Sequence, residues 1–277
     1  RKGFMNENKS INSLKKQLVA AVAMVCVAAV ALGSSTYAWF AANNKVQATG
    51  MSVQAQGETG IVIKSMDNAT SVWATTASAE MKSAAKLYPT STANLSEWYH
   101  AKSDNPDKAL KETMTASDYE KLATTDNYVV KKTFKIRSAA QAVPVKDVKL
   151  AINKVEVNKK TTKSESLDKS IRVGVKVGTD FYVYAPLAAT DFTLAAKYIT
   201  DNKTLTEKTS ASPDNADQFT LTDDTIPAND DACIVAEIYL WFEGEDENCK
   251  STNITATLDN LDVTVDFVTV PTTTSAP

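Results

Sequence analysis

The run Ile171-Arg172-Val173-Gly174-Val175-Lys176-Val177-Gly178-Thr179-Asp180-Phe181-Tyr182-Val183-Tyr184 puts Ile171, Val173, Val175 and Val177 on one side and Arg172, Gly174 and Lys176 on the other. Successive side chains leave a pleated strand on opposite faces, so a period of two marks a β-strand with one buried side. Gly178-Thr179-Asp180 supplies a tight turn, since glycine enters the left-handed region without a Cβ clash, and residues 181–184 resume the extended pattern. The stretch predicts a β-hairpin.

The same rhythm recurs along the chain. Ile234, Ala236, Ile238, Leu240 and Phe242 form one face of a strand, and Leu261, Val263, Val265 and Phe267 one face of the last. Tyr128, Val130, Phe134 and Ile136 alternate with Val129, Lys131, Thr133, Lys135 and Arg137, and further strands are predicted over 60–64, 145–157 and 218–222. Strands this dense, joined by short polar turns, imply a mainly β chain folded as an antiparallel, jelly-roll-like β-sandwich. Between 45 and 56 the phase shifts: Val46 and Ala48 share a face, then Met51, Val53 and Ala55, and a bulge at Gly50 would reconcile the two halves. Residues 66–127 lose the strand rhythm in Ala-rich and charged stretches. With Ser117-x-x-Glu120 as a capping box, they predict a partly helical insertion carried on the sandwich. The sandwich domain is expected to span 39–270, followed by a Thr/Pro-rich tail over 271–277 without an L-P-x-T-G sorting signal.

Length and composition limit the function. A chain of 277 residues, 43% hydrophobic, has material for a sizeable core. Basic and acidic residues nearly balance, 30 against 33, so there is no positive field to hold nucleic acid, and no nucleic-acid partner is expected. The single histidine, His100, excludes multi-histidine metal centres and leaves one candidate base for nucleophilic catalysis. The chain lacks G-x-G-x-x-G and G-x-x-x-x-G-K-[ST] runs, so no nucleotide cradle is expected. The expectation is a protein that is not an enzyme, with no catalytic residues and no cofactor.

At the N-terminus Lys9, Lys15 and Lys16 precede a run from 18 to 32 composed only of Leu, Val, Ala, Met and Cys. As a helix it would reach roughly 22 Å, short of the approximately 30 Å hydrocarbon core, which suits a signal sequence. Thr36 and Ala38 fit the small positions ahead of a signal-peptidase cut after Ala38. The competing reading retains residues 1–38 as a membrane anchor whose helix continues through Tyr37, Trp39 and Phe40. Both send the remainder, which is more acidic than the whole, across the cytoplasmic membrane to the cell surface or beyond.

Several constellations invite chemistry. Glu243, Glu245, Asp246 and Glu247 crowd the end of an aromatic strand, where Ca²⁺ would relieve carboxylate repulsion. The alternative is a solvated acidic turn, which the missing D-x-[DN]-x-[DN]-G spacing favours. A hydrolase using Glu243 and Asp246 would need a paired geometry that spacing does not supply. Trp98 and Tyr99, beside His100, can contact a ligand by stacking, or they anchor a loop. Cys233 and Cys249 flank a strand and a turn, and bringing them within roughly 4.4–6.8 Å needs a nearly straight return of the chain, so a disulfide and two buried thiols both remain open.

A cut after Ala38 would leave Trp39 and Phe40 as an apolar end ahead of a β-prone stretch. That end is sheltered either by folding into its own sandwich or by adding as a strand to an open edge on a neighbouring copy, a contact that propagates into a fibre. In the second case Trp39, Phe40, Val46, Ala48, Met51 and Val53 form the assembly strand.

The arrangement Ala38-Trp39-Phe40-Ala41-Ala42-Asn43-Asn44-Lys45-Val46, then Ala48-x-Gly50-Met51-x-Val53 behind a signal-like segment, resembles the start of the TasA/camelysin family of Gram-positive exported proteins. Ile238-Tyr239-Leu240-Trp241-Phe242-Glu243-Gly244-Glu245-Asp246-x-x-Cys249 resembles a recurring feature of Firmicutes surface proteins with such an N-terminus. The resemblance implies a jelly-roll fold, release by a dedicated signal peptidase and, for some members, self-association into biofilm-matrix fibres by donating the N-terminal strand. It does not imply the 66–127 insertion, and the absence of H-E-x-x-H gives the protease activity associated with camelysin no ligands here. The expected function is a non-enzymatic extracellular fibre subunit. The alternative is a membrane-anchored surface module, an adhesin or glycan binder, that uses the insertion.

Overall fold

In the computed structural model the hairpin forms as the alternation dictates: Ile171–Val177 pairs antiparallel with Asp180–Tyr184, Val177 facing Asp180. The two-residue connection has Gly178 at φ +60°, the first central position of a type II′ turn, which matches the twist of the strands it joins. The structure describes residues 17–18, 21–22, 24, 46–49, 52–57, 60–80, 86–101, 116–140, 142–159, 167–188, 207–208, 210–212, 215–246, 248–249, 258–259 and 261–272.

The strands are β1 (Val46–Thr49), β2 (Ser52–Gly57), β3 (Ile61–Ser65), β4 (Thr76–Glu80), β5 (Lys86–Leu87), β6 (Ser91–Thr92), β7 (Trp98–Ala101), β8 (Tyr119–Lys121) and β9 (Val130–Ser138). They continue with β10 (Val148–Lys159), β11 (Ile171–Val177), β12 (Asp180–Tyr184), β13 (Glu207–Lys208), β14 (Gln218–Phe219), β15 (Ile234–Phe242), β16 (Leu258–Asp259) and β17 (Leu261–Pro271). One sheet runs β14-β10-β17-β2-β4 and the other β13-β12-β11-β15-β9-β3. Most neighbours are antiparallel; β17 with β2, β12 with β13 and β1 with β16 are parallel.

The two sheets share one core. Leu150, Ile152, Val155, Val157, Val263, Val265 and Phe267 from the first meet Ile61, Phe134, Ile136, Val173, Val175, Ile238 and Phe242 from the second. The result is a mainly β, sandwich-like architecture. In β10 the register slips between Ile152 and Lys154, and this bulge keeps Leu150 and Ile152 on the same face as Val155 and Val157.

Where the reading of 66–127 expected short helices, the described residues form a third layer built mainly of strands; 81–85 and 102–115 lie outside the described residues. The segment's described residues hold β4, at the edge of the first sheet, β5, and a small sheet β6-β7-β8; the helical piece among them is one 3-10 turn, Ala116–Asp118. Ser117 and Glu120 therefore do not cap an α-helix: Glu120 lies in β8 opposite His100. Cross-strand pairing wins because Trp98 and Leu95 bury against Val183, Tyr239 and Trp241 on the outer face of the second sheet, an apolar gain that a short surface helix would forgo.

Across the phase shift near Gly50, β1 and β2 keep one register beside β16 and β17, with Ala48 facing Leu258 and Ser52 facing Asp262, and the position of the expected bulge falls outside the described residues. β1 pairs with β16 and β5, whereas β2 pairs with β17 and β4; Gly50 and Met51 lie outside the described residues. Of the apolar run 18–32, residues 18, 21, 22 and 24 are described and, with Gln17 before them, have helical backbone; Leu18, Val22 and Met24 are exposed. Among the described residues no helix is long and apolar enough to cross a membrane. No disulfide joins Cys233 to Cys249; Cys249 lies inside the main core and Cys233 is half-buried, so the unbridged reading is realised with one of the two thiols fully buried.

Candidate functional site

The segment expected to donate a strand is used within the chain. In β2 the backbone pairs along both edges, Ser52 to Gly57 beside Asp262 to Phe267 and Ser52 to Gln56 beside Glu80 to Thr76. Val53 thereby lies between Val263 and Ala79, Ala48 opposite Leu258, and Val46 opposite Leu87. Trp39, Phe40 and Met51 lie outside the described residues. In a single copy the seam between β17 and β4 is already filled.

The expected ligand aromatics separate. Trp98 is 4% exposed; its ring packs edge-on against Trp241, centroids 5.2 Å apart, and lies 5.9 Å from Tyr239. It is a core residue of the third layer rather than a ligand platform, because its ring faces the second sheet. Tyr99 is half-buried and donates its hydroxyl to Glu97 at 3.3 Å. His100 pairs across β7 and β8 with Glu120, Nε2 to Oε1 3.0 Å, and its ring centroid is 5.7 Å from that of Tyr128.

The acidic turn is not solvated. Glu243, Glu245 and Asp246 are all fully buried, which overturns the exposed-turn reading. Asp246 accepts a 2.6 Å hydrogen bond from the guanidinium of Arg172, itself fully buried, and two more from Asn248. Glu243 accepts from the Trp241 indole N–H at 3.0 Å and from the Glu245 amide at 3.1 Å. Arg172 also donates to the carbonyls of Lys169 and Ile171. The backbone closes the knot: Thr90 and Phe242, Gly244 and Thr90, and Glu243 and Ser170 are hydrogen bonded. Among the described residues no group of three His, Cys, Asp or Glu is placed to hold a metal ion; Glu247 lies outside them. The turn's chemistry is that of a clasp that ties the 90s, the 170s and the 240s together.

A second buried charge lies where the two sheets end. Asp217 is fully buried and pairs with the Lys208 ammonium, receives the Tyr184 hydroxyl at 3.3 Å on Oδ1, and receives the Ser212 amide at 2.7 Å on Oδ2. Burial, then the neighbouring Asp217 carboxylate, pushes the Tyr184 hydroxyl well above the ordinary tyrosine range. Sequence reasoning missed Lys208, Asp217 and Tyr184, which sit in unremarkable polar or hairpin contexts. Arg172 left one signal, a cation beside Gly174 on the expected solvent face of a strand.

No protein-family model, curated protein or solved structure matches the chain.

Proposed function

We propose that the chain is a non-enzymatic, exported protein of jelly-roll type that assembles into extracellular fibres by exchanging its N-terminal strand segment between neighbouring copies. The observation that carries this reading is the position of β2, next to the N-terminal segment in sequence yet wedged between β17 and β4 with main-chain pairing on both edges. A neighbouring copy's 46–57 can occupy the same seam in the same register, so exchange conserves the contacts and changes only which chain supplies them. Trp39 and Phe40 would travel with that segment. The likeness of 38–53 to TasA/camelysin N-termini supports the same reading, as do the signal-like run 18–32 and the cut expected after Ala38. In this proposal the chain crosses the cytoplasmic membrane, meets a signal peptidase and then its own copies, and uses no cofactor.

Deletion of residues 39–50 from the exported chain tests it. Loss of filaments in electron micrographs and of the fast-sedimenting fraction is expected, with the mature protein otherwise starting at Trp39 by mass spectrometry. Filaments that persist in the deletion variant overturn it.

A further inference from the structure

We propose that Lys208 and Asp217 become joined by an intramolecular isopeptide bond that fastens the edge of one sheet to the edge of the other. Lys208 ends β13, the edge strand of the second sheet, and Asp217 directly precedes β14, the edge strand of the first. The two side chains are in contact, with Asp217 fully buried and the Lys208 side chain 26% exposed. The Tyr182 ring faces the ammonium at 5.5 Å and stacks edge-on against Phe219, so the pair sits against aromatic surface.

That setting prepares both reactants. The proposed condensation begins with a proton passing from Nζ to Oδ1 across this contact, which gives the neutral amine and neutral acid, the forms that condense. The Nζ lone pair then adds to Cγ, and the negative charge that develops on Oδ2 meets the Ser212 amide already donating there. A second proton passes from Nζ to Oδ1 across their direct contact, and the Tyr184 hydroxyl, which donates to Oδ1, steadies that oxygen as it departs. The Cγ–Oδ1 bond breaks, and Oδ1 departs as water with both protons. Nζ keeps one hydrogen in the new amide, and Oδ2 becomes its carbonyl. No oxidant, reductant or co-reactant is needed. Tyr184 and Ser212 act as positioning groups that donate to the two Asp217 oxygens; the bond-forming atoms belong to Lys208 and Asp217.

Mass spectrometry of the full chain, purified after folding, tests the proposal. The expected mass is lower than the sequence mass by one water. Trypsin should fail to cut after Lys208, and the digest should yield a branched peptide carrying both residues. Lys208→Arg keeps the cation but cannot form the bond, and should restore the full mass; Asp217→Ala should do the same. A wild-type chain of full mass cleaved after Lys208 overturns the proposal. So does a water loss that leaves Lys208 cleavable, the pattern of a succinimide, or one that survives in Lys208→Arg. Filament formation is not part of the readout, so failure here is distinct from failure of strand exchange.

Discussion

Tyr239 donates its hydroxyl to Glu237 at 2.7 Å, and the same carboxylate pairs with Lys131. Burial alone would push the Glu237 carboxyl up, but the hydrogen bonds from Lys131 and Tyr239 outweigh it and hold the group below its ordinary 4.5. Burial and then the Glu237 bond push the Tyr239 hydroxyl above its ordinary 10.0. The two shifts act at opposite ends of the pH scale. A depressed carboxyl contributes stability above about pH 4.5 that is lost as pH falls through its folded value. A raised phenol contributes stability below about pH 10 that is lost as pH climbs toward its folded value. Urea midpoints followed against pH should therefore decline on both sides. Glu237→Gln should flatten the acid limb at a cost of roughly 1 kcal/mol at neutral pH, and Tyr239→Phe the alkaline limb. Acid and alkaline limbs unchanged in these variants would contradict the assignment.

At the scale of elements, β11 shows how a third layer is seated on a sandwich. A Cβ on Gly174 would lie 2.7 and 2.8 Å from the Leu95 methyls and 3.2 Å from the Trp241 ring, so the absent side chain is what lets Leu95 reach the sheet. Leu95 has φ +55°, a conformation costing a non-glycine residue roughly 1–2 kcal/mol, and its burial at 1% exposure offsets that cost. Thr92 and Asn94 hold the loop, their side-chain oxygens accepting from the amides of Leu95, Ser96 and Glu97. Gly174→Ala should destabilise by about 1–3 kcal/mol through overpacking, and the penalty should shrink in a Leu95→Ala background where the methyls are gone. Chemical denaturation of the four proteins in that cycle measures the coupling. The alternation of β9, β11, β15 and β17 was legible because each has one face in the common core. That of 66–127 was not, since β5 and β6 are two residues long and β7 and β8 are hidden by polar neighbours.

Across the whole molecule, the acidic clasp does what no single element can. Arg172 at the start of β11 and Asp246 beyond β15 meet at zero exposure, while Gly244 and Phe242 reach Thr90 in the third layer. Removing one partner leaves an uncompensated buried charge, so Arg172→Leu should cost about 3–5 kcal/mol, and adding Asp246→Leu should recover much of it. Denaturation midpoints in which the double variant is as unstable as the single one would show that the pair is not the issue.

The strands of the main core, their inward faces and the turn at Gly178 were fixed by residue order alone, because a period of two and a glycine's freedom are properties of the local chain. Tertiary structure decided the rest: the buried outer face of β11 and β15, the concealment of Trp98, Glu243, Glu245 and Asp246, the parallel pairing of β1 and β2 with β16 and β17, and the meeting of Lys208 with Asp217. Each depends on which distant segment covers which surface. Burial of a polar or aromatic side chain is decided by the layer laid over it, and local periodicity carries no record of that layer.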